Sequence, residues 1–354
     1  MHLYLSMSDS IKANLLHLVE SFSYYLIDEA RKDIGKNVED IQIQDIEYHK
    51  EAGRFGEVYV IDVFYSSAFG SHKTKLAIKF MEDSNDVLTE IKNSALLEKN
   101  FASRSIVKVP RYIYVNLQTP SFIAYEGMEG VSYEDATQIS NKSFWAGYVL
   151  SIIHGRETRK VESDIYEEMF RRLVLAIFGG QDSEQEIMEK SKILIQMMNE
   201  SSGGCNSFGD FHQSNLLVRG TQRGDLLSIA LIDPTFWMEG SFDRFEDIGT
   251  FFGRQAIVEF RETNDFEAVA EDVREFLKGY DVHLKELNAP LLSEIYPKGY
   301  TLDLFLAIWA MMDVMDKTNN LNVPENHQDI ITLKSMAHYC LTTHPMRNKI
   351  NTTK

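Results

Sequence analysis

The apolar residues of this chain are mostly alternating up to Glu126 and mostly of helical period after it, and that switch constrains the fold more than any other feature. Ile41, Ile43 and Asp45–Ile46 alternate, Glu57–Tyr65 and Lys75–Phe80 are β-branched and aromatic runs, and Arg111–Val115 and Ser121–Tyr125 are two more. Turn-like segments, Ala52–Gly56 and Ser66–Ser71, separate the first three. Alternation punctuated by glycine and serine predicts an antiparallel meander. One helix interrupts it over Asn85–Lys99, with Asp83 or Ser84 available as its N-cap. Another precedes it over Ile11–Ile34, its stripe running through Leu15, Leu18, Val19, Phe22, Leu26 and Ala30. After Glu126-Gly127-Met128 the period lengthens to that of helices, at Ser143–His154, Asp164–Phe178, Glu184–Asn199 and most of the chain from Phe245 onward. A strand–turn–strand element at Asn215–Asp233, bent at Arg219–Asp225, is the exception.

These patterns predict an α+β fold of two lobes. Residues 1–127, with the extra helix 11–34, form a small antiparallel β-rich N-lobe; residues 128–354 form a larger, mainly α-helical C-lobe, with a hinge near Gly127. A chain of 354 residues is long enough to bury a core in each.

Charge and cysteine content narrow the function. With 36 Lys and Arg against 53 Asp and Glu, the net charge is −17, the wrong sign for a general nucleic-acid binder that displaces phosphate counterions. The two cysteines, Cys205 and Cys340, offer no disulfide framework and no Cys-x-x-Cys pair, so they read as reduced structural thiols. Residues Met1–Ser10 lack the basic start of a secretory signal. The longest strongly apolar run, Leu304–Met312, is far short of the ~20 residues that cross a membrane. The expectation is a cytoplasmic protein with no membrane and no nucleic-acid partner; nothing in the sequence sets its oligomeric state.

The chemistry concentrates in Gly209-Asp210-Phe211-His212-Gln213-Ser214-Asn215, followed by Ile229-Ala230-Leu231-Ile232-Asp233-Pro234. Asp210 and Asn215 share a loop that runs into an apolar strand, and Asp233 ends the next strand. Phosphoryl transfer from a nucleotide needs a carboxylate to orient the attacking hydroxyl, and an amide oxygen and a second carboxylate to hold metal on the phosphates. Magnesium prefers hard oxygen ligands and keeps several waters, so one Asp and one Asn suffice. Either motif alone is common by chance, and Asp-Pro is an ordinary turn device; their order, with an apolar hairpin between them, carries the weight.

Phe208-Gly209-Asp210-Phe211-His212-Gln213-Ser214-Asn215 resembles the His-Gly-Asp-x-His-x-x-Asn catalytic loop of the aminoglycoside phosphotransferase family, small-molecule kinases with a protein-kinase-like fold. Ile232-Asp233-Pro234 is similar to that family's metal-binding strand end, and Asp247-Ile248-Gly249 to its downstream Asp-Leu-Gly/Ala segment. The resemblance implies Asp210 as catalytic base, Asn215 and Asp233 as magnesium ligands, and Asp247 as a brace for the catalytic loop. His212 stands where protein kinases commonly have Lys, and Phe208 replaces the family's first His, which bears on local support of the loop.

The upstream half supplies an independent test. Glu51-Ala52-Gly53-Arg54-Phe55-Gly56-Glu57-Val58 places Gly53, Gly56 and Val58 at the spacing of the end of Gly-x-Gly-x-x-Gly-x-Val, with Glu51 in place of the first glycine. Glycines there let backbone amides approach phosphate oxygens. Leu76-Ala77-Ile78-Lys79 resembles the Val-Ala-Ile-Lys strand. A lysine in so apolar a run needs a partner. Glu90 is the best placed, ahead of Glu82 and Glu98. Backbone groups of Glu126 and Met128 would read adenine.

The implied function is ATP- and Mg2+-dependent transfer of a phosphoryl group to a hydroxyl of a small molecule; the alternative is a kinase-like scaffold or effector module with little or no catalysis. No Asp-Phe-Gly or Ala-Pro-Glu signature of a protein-kinase activation segment is present. Between Asp233 and Glu286 lie 14 acidic and six basic residues, a face that would suit a cationic acceptor such as an aminoglycoside or amino-alcohol, or else a solvated surface. Phe236, Trp237 and Phe242 are candidates for a sugar- or ring-binding wall, or for core.

Overall fold

The computed structural model describes residues 8–35, 37–52, 57–155, 163–179, 185–190, 192, 204–234, 238–292 and 300–351. The chain divides into two units, one running to Gly130 and taking back Ala230–Thr235, the other comprising Val131–Ile229 and everything from Phe236.

The first unit contains α1 (Ser8–Glu20), α2 (Ser23–Ile34), β1 (Gln42–Ala52), β2 (Glu57–Ser67), β3 (Gly70–Met81), α3 (Ser84–Phe101), β4 (Val107–Lys108), β5 (Tyr112–Asn116) and β6 (Ser121–Glu126). Five of the strands form an antiparallel sheet in the order β1-β2-β3-β6-β5. Alternation in β2 sends Tyr59, Ile61, Val63 and Tyr65 to one buried face, where they meet Leu15, Val19, Phe22, Leu26 and Ala30 of the helices before the sheet. Each such side chain contributes about 1.5–3 kcal/mol of transfer free energy, so this stripe, more than helix propensity, holds α1 and α2 in place. Strand β6 is buried on both faces: Phe122 and Ala124 join that core, while Ile123 and Tyr125 pack with Met81 and with Val87 of α3.

The single helix expected over 11–34 is two helices. Ser21 and Phe22 donate their backbone N–H groups to Leu18 and Val19, three residues back, and the Ser21 hydroxyl also bonds the Leu18 carbonyl. That local competition with the helical ladder ends α1, and a fully buried Phe22 begins the next turn. The Asp83 carboxylate caps α3 by accepting from the Asn85 N–H at 2.8 Å.

The second unit contains β7 (Val131–Ser132), α4 (Lys142–His154), α5 (Ser163–Phe178), β8 (Cys205–Ser207), a 3-10 turn (Gln213–Asn215), β9 (Leu216–Gly220), β10 (Leu226–Leu231), β11 (Met238–Phe242), α6 (Arg244–Thr263), α7 (Glu267–Glu286), α8 (Tyr300–Asn319), α9 (Gln328–Thr343) and α10 (Pro345–Asn351). Helix α4 packs on α7, and α8 on both α6 and α9. An aromatic cluster of Phe211, Phe251, Phe252 and Phe276 ties the loop before β9 to α6 and α7, with Phe211 stacked on Phe251 at 5.3 Å. Strands β7, β9 and β10 lie side by side, and β8 pairs with β11. Of the helix expected over Glu184–Asn199, residues 185–190 are helical and most of the remainder lies outside the described residues. Both cysteines are buried and unpaired. Among the described residues no helix is long and apolar enough to cross a membrane.

Candidate active site

Residues of the first unit meet around Lys79. Strand register places Lys79 directly opposite Val58. Its side chain points into the core, with only 7% exposure. There Nζ donates to Glu90 Oε2 and to Asp233 Oδ1, both at 2.7 Å. Glu90, 1% exposed, also accepts the Tyr125 hydroxyl on Oε1 at 2.5 Å. Burial by itself pulls the Lys79 ammonium down, but Glu90 and Asp233 outweigh it and hold the lysine above its ordinary value. Burial, reinforced by Glu90, pushes the Tyr125 phenol well up, so it stays a donor. Glu82 and Glu98 are exposed and take no part in this cluster. The partner expected from sequence is the one present, joined by a carboxylate 154 residues further along.

Asp233 lies two residues beyond β10, in a left-handed backbone conformation with φ 56°. Its side chain remains 39% exposed while Oδ1 takes the Lys79 ammonium. The following carbonyl, of Pro234, accepts the Asn93 side-chain N–H at 2.8 Å. The Glu126 N–H is donated to the Arg111 carbonyl, and the Glu126 carboxylate accepts from the Arg111 guanidinium, which commits that amide within the unit. Met128 is half-buried just beyond it. Between them Gly127 has no alternative: a Cβ there would sit 2.5 Å from the Lys75 carbonyl carbon. Gly53 and Gly56 lie outside the described residues, as do Phe236 and Trp237; Phe242 is half-buried and its carbonyl accepts from the Cys205 thiol.

In the second unit the loop Phe208–Asn215 is strung between β8 and β9, so both its ends are fixed by sheet pairing. Gly209 has φ 75°, a left-handed position that glycine adopts without a Cβ penalty. Asp247, on the first turn of α6 and 1% exposed, accepts the N–H of Phe208 at 2.8 Å on Oδ2 and that of Gly209 at 3.0 Å on Oδ1. His154, the last residue of α4, donates Nε2–H to Asp247 Oδ2 at 3.0 Å. Its Nδ1 accepts the Tyr280 hydroxyl at 2.7 Å, and Tyr280 in turn accepts from Arg244 at 2.6 Å. Burial depresses the His154 pKa despite the opposing pull of Asp247, which keeps the imidazole neutral in this chain of donors. The Phe208 position therefore needs no side-chain polarity: its backbone N–H is held, and its ring is fully buried against Phe211.

Within the braced loop, Asp210 is partly exposed and its Oδ2 lies 3.3 Å from His212 Nε2, while His212 Nδ1 pairs with the Ser214 hydroxyl at 2.7 Å. Asn215 donates Nδ2 to the Asp210 carbonyl at 2.9 Å and, at 3.5 Å, to its carboxylate. With the nitrogen so committed, the amide oxygen of Asn215 is the atom suited to a cation. Asp233 in the first unit and Asn215 in the second each offer a hard oxygen donor, the kind magnesium favours. Among the described residues no three His, Cys, Asp or Glu side chains gather into a metal cage.

The acidic stretch of α6 and α7 is less of a surface than its sequence implies. Asp243, Asp247 and Asp281 are buried, and burial pushes both Asp243 and Glu246 up to about 7. Glu259 caps α7 by accepting the N–H groups of Ala268 and Val269. The formal charge there overstates the field offered to an acceptor.

No family model matches the sequence, and no curated protein matches it. Among solved structures, a choline/ethanolamine kinase family protein from Mesorhizobium loti superposes with a TM-score of 0.50 at 9% identity, over 82% of this chain and 90% of that one. Choline kinase LicA from Streptococcus pneumoniae gives 0.48 at 12% identity over 90% of this chain and 99% of that one. Spectinomycin phosphotransferase in complex with ADP and spectinomycin gives 0.48 at 13%, over 91% and 98%. At such identities the likeness is one of fold: the chain has the protein-kinase-like fold, an antiparallel sheet followed by a helical part, as small-molecule kinases of this group do.

Sequence reasoning missed Tyr125, Asn93 and His154. Asn93 lies three residues after Glu90 on the apolar stripe of α3 between Val87 and Leu97, where a polar residue is itself a signal. His154 likewise ends an otherwise apolar helix. Tyr125 has no such mark, because tyrosine in a buried strand is ordinary.

Proposed function

We propose that this protein is an ATP- and magnesium-dependent phosphotransferase that moves the γ-phosphoryl group to a hydroxyl of a small molecule. The observation that carries this reading is the buried Lys79 ammonium shared between Glu90 and Asp233. A helix carboxylate and a strand-end carboxylate converge on one buried ammonium, an arrangement whose desolvation is costly for structure alone and which suits a lysine that serves phosphate.

In this reading Lys79 holds the α- and β-phosphates, and Glu90 fixes its position. Gly53, Gly56 and Val58 cover the nucleotide, whose base meets the backbone of Glu126 and Met128; with the Glu126 N–H already donated, its carbonyl is the adenine contact we assign. Asp233 and Asn215 are each proposed as magnesium ligands, and the metal neutralises phosphate charge when bound. Asp210 faces the acceptor hydroxyl and takes its proton as that oxygen bonds to the γ-phosphorus and the bond to ADP breaks. His212 and Asp247 support the loop that carries Asp210, so catalysis is positioning and electrostatics. The acceptor class is a small alcohol, cationic as in an aminoglycoside or amino-alcohol, or neutral as in a sugar.

Asp210→Ala tests the assignment. ADP release should fall by about a thousandfold while magnesium–ATP still raises the melting temperature as in the wild type. Turnover within about threefold of wild type would remove Asp210 from the mechanism.

A further inference from the structure

The inner face of α3 is apolar at Val87, Leu97 and Phe101 but polar at three central positions, Glu90, Asn93 and Ser94, each at most 4% exposed. Buried polar groups at a helix–sheet contact cost stability unless every one has a partner. Here the partners define a job. Glu90 holds Lys79, and Ser94 bonds the Tyr125 hydroxyl that also donates to Glu90. Asn93, one helical turn from Glu90, reaches the other side of the cluster and donates to the Pro234 carbonyl.

That carbonyl follows Asp233, whose backbone is left-handed at φ 56°. A non-glycine residue in that region is strained, and the segment persists only where its surroundings over-determine it. Contacts from α3 and β3 do so, among them the Lys79–Asp233 ion pair on the side chain and the Asn93–Pro234 bond on the backbone. The ion pair cannot set the aim of Asp233 by itself, because lysine is a flexible point charge shared with Glu90. The amide of Asn93 is short and buried, and holds the Pro234 carbonyl, one peptide beyond the Asp233–Pro234 bond, so that the chain leaving Asp233 is anchored.

We propose that Asn93 is a positioning residue for the magnesium-binding carboxylate of Asp233: it clamps the Pro234 carbonyl and so holds the left-handed turn that points Asp233 at the metal. This rests on the functional reading of Asp233 given above. Asn93→Leu keeps the volume and removes the donor; Asn93→Ala removes both. Leu97→Ala, one helical turn further along the same buried face, supplies a comparably destabilised control.

The measurement is the melting temperature of the full chain at saturating ATP, titrated with magnesium. In Asn93→Leu and Asn93→Ala the magnesium concentration giving half the nucleotide-dependent shift should rise about tenfold or more, while Leu97→Ala keeps the wild-type midpoint despite its lower baseline. Midpoints within about twofold of wild type in both Asn93 variants, with magnesium–ATP still stabilising the wild type, would overturn the clamp alone. No magnesium-dependent stabilisation of the wild type would overturn the functional reading and the clamp together. A midpoint raised equally in Leu97→Ala would also overturn it, since general loosening of α3 would then explain the effect.

Discussion

Replacing Asp247 by Asn tests the brace beneath the loop Phe208–Asn215. The carboxylate accepts three hydrogen bonds, from the Phe208 N–H, the Gly209 N–H and His154 Nε2–H. Asparagine keeps the shape but offers one acceptor oxygen. If that oxygen serves Phe208 and His154, the new amide nitrogen faces the Gly209 N–H, donor against donor; Gly209 keeps only the Ser207 hydroxyl at 2.9 Å. One charge-assisted bond is lost, about 1.5–3 kcal/mol, and the survivors weaken with the loss of charge. Relief of carboxylate burial returns part of this, so the net cost is about 3 kcal/mol. That corresponds to roughly a hundredfold increase in the local opening constant, read directly as faster amide hydrogen exchange at Phe208 and Gly209. Turnover should fall with it, because Asp210 is the next residue. Exchange within about threefold of wild type at both amides would refute the brace.

Three further perturbations follow from the same contacts. Lys79→Met leaves Glu90 and Asp233 without their shared cation, which should cost about 3 kcal/mol in urea unfolding and abolish stabilisation by ATP; Lys79→Met with Glu90→Gln should recover at least about 1 kcal/mol, and strict additivity would contradict the coupling. Gly127→Ala places a methyl 2.5 Å from the Lys75 carbonyl carbon and should destabilise by about 1–3 kcal/mol; an unchanged unfolding midpoint would mean the strand junction yields freely. Asp303 is fully buried, accepts the N–H groups of Met346 and Arg347, and is pushed by burial up to about 8. Between about pH 4 and 8 the folded state therefore keeps a proton that the unfolded state has lost, so rising pH removes stability, at up to about 1.4 kcal/mol per unit. Against Asp303→Asn, which does not titrate, the wild type should lose ground from pH 5 to pH 8; parallel profiles would refute it.

Much of this arrangement is legible in the residues. Lys79 betrays itself as a charge within an apolar strand, and Glu90 as the carboxylate on the facing stripe of the next helix. Elements with several turns or several alternations, such as α3 and β2, announce themselves through period. Val131–Ser132, Cys205–Ser207 and Met238–Phe242 are too short to carry one, and their pairing depends on chain brought from far away. The direct Lys79–Asp233 pair and the Asn93–Pro234 bond span 154 and 141 residues, separations at which spacing says nothing. The acidity of α6 and α7 is only partly a surface property, because a count of carboxylates cannot distinguish a capping or buried side chain from a solvated one. The break at Ser21 lies below the resolution of an apolar stripe that continues unbroken across it.

The central claim is that Lys79, Asp210, Asn215 and Asp233 serve phosphoryl transfer and not nucleotide holding alone. The most direct measurement is ADP release from ATP with magnesium, over acceptors drawn from aminoglycosides, amino-alcohols, sugars and homoserine, with Asp210→Asn as the blank. The account predicts magnesium-dependent ADP release with at least one of these classes, lost in Asp210→Asn. Stabilisation of the wild type by magnesium–ATP with no release above that blank for any class would contradict it, and would identify the chain as a nucleotide-binding scaffold.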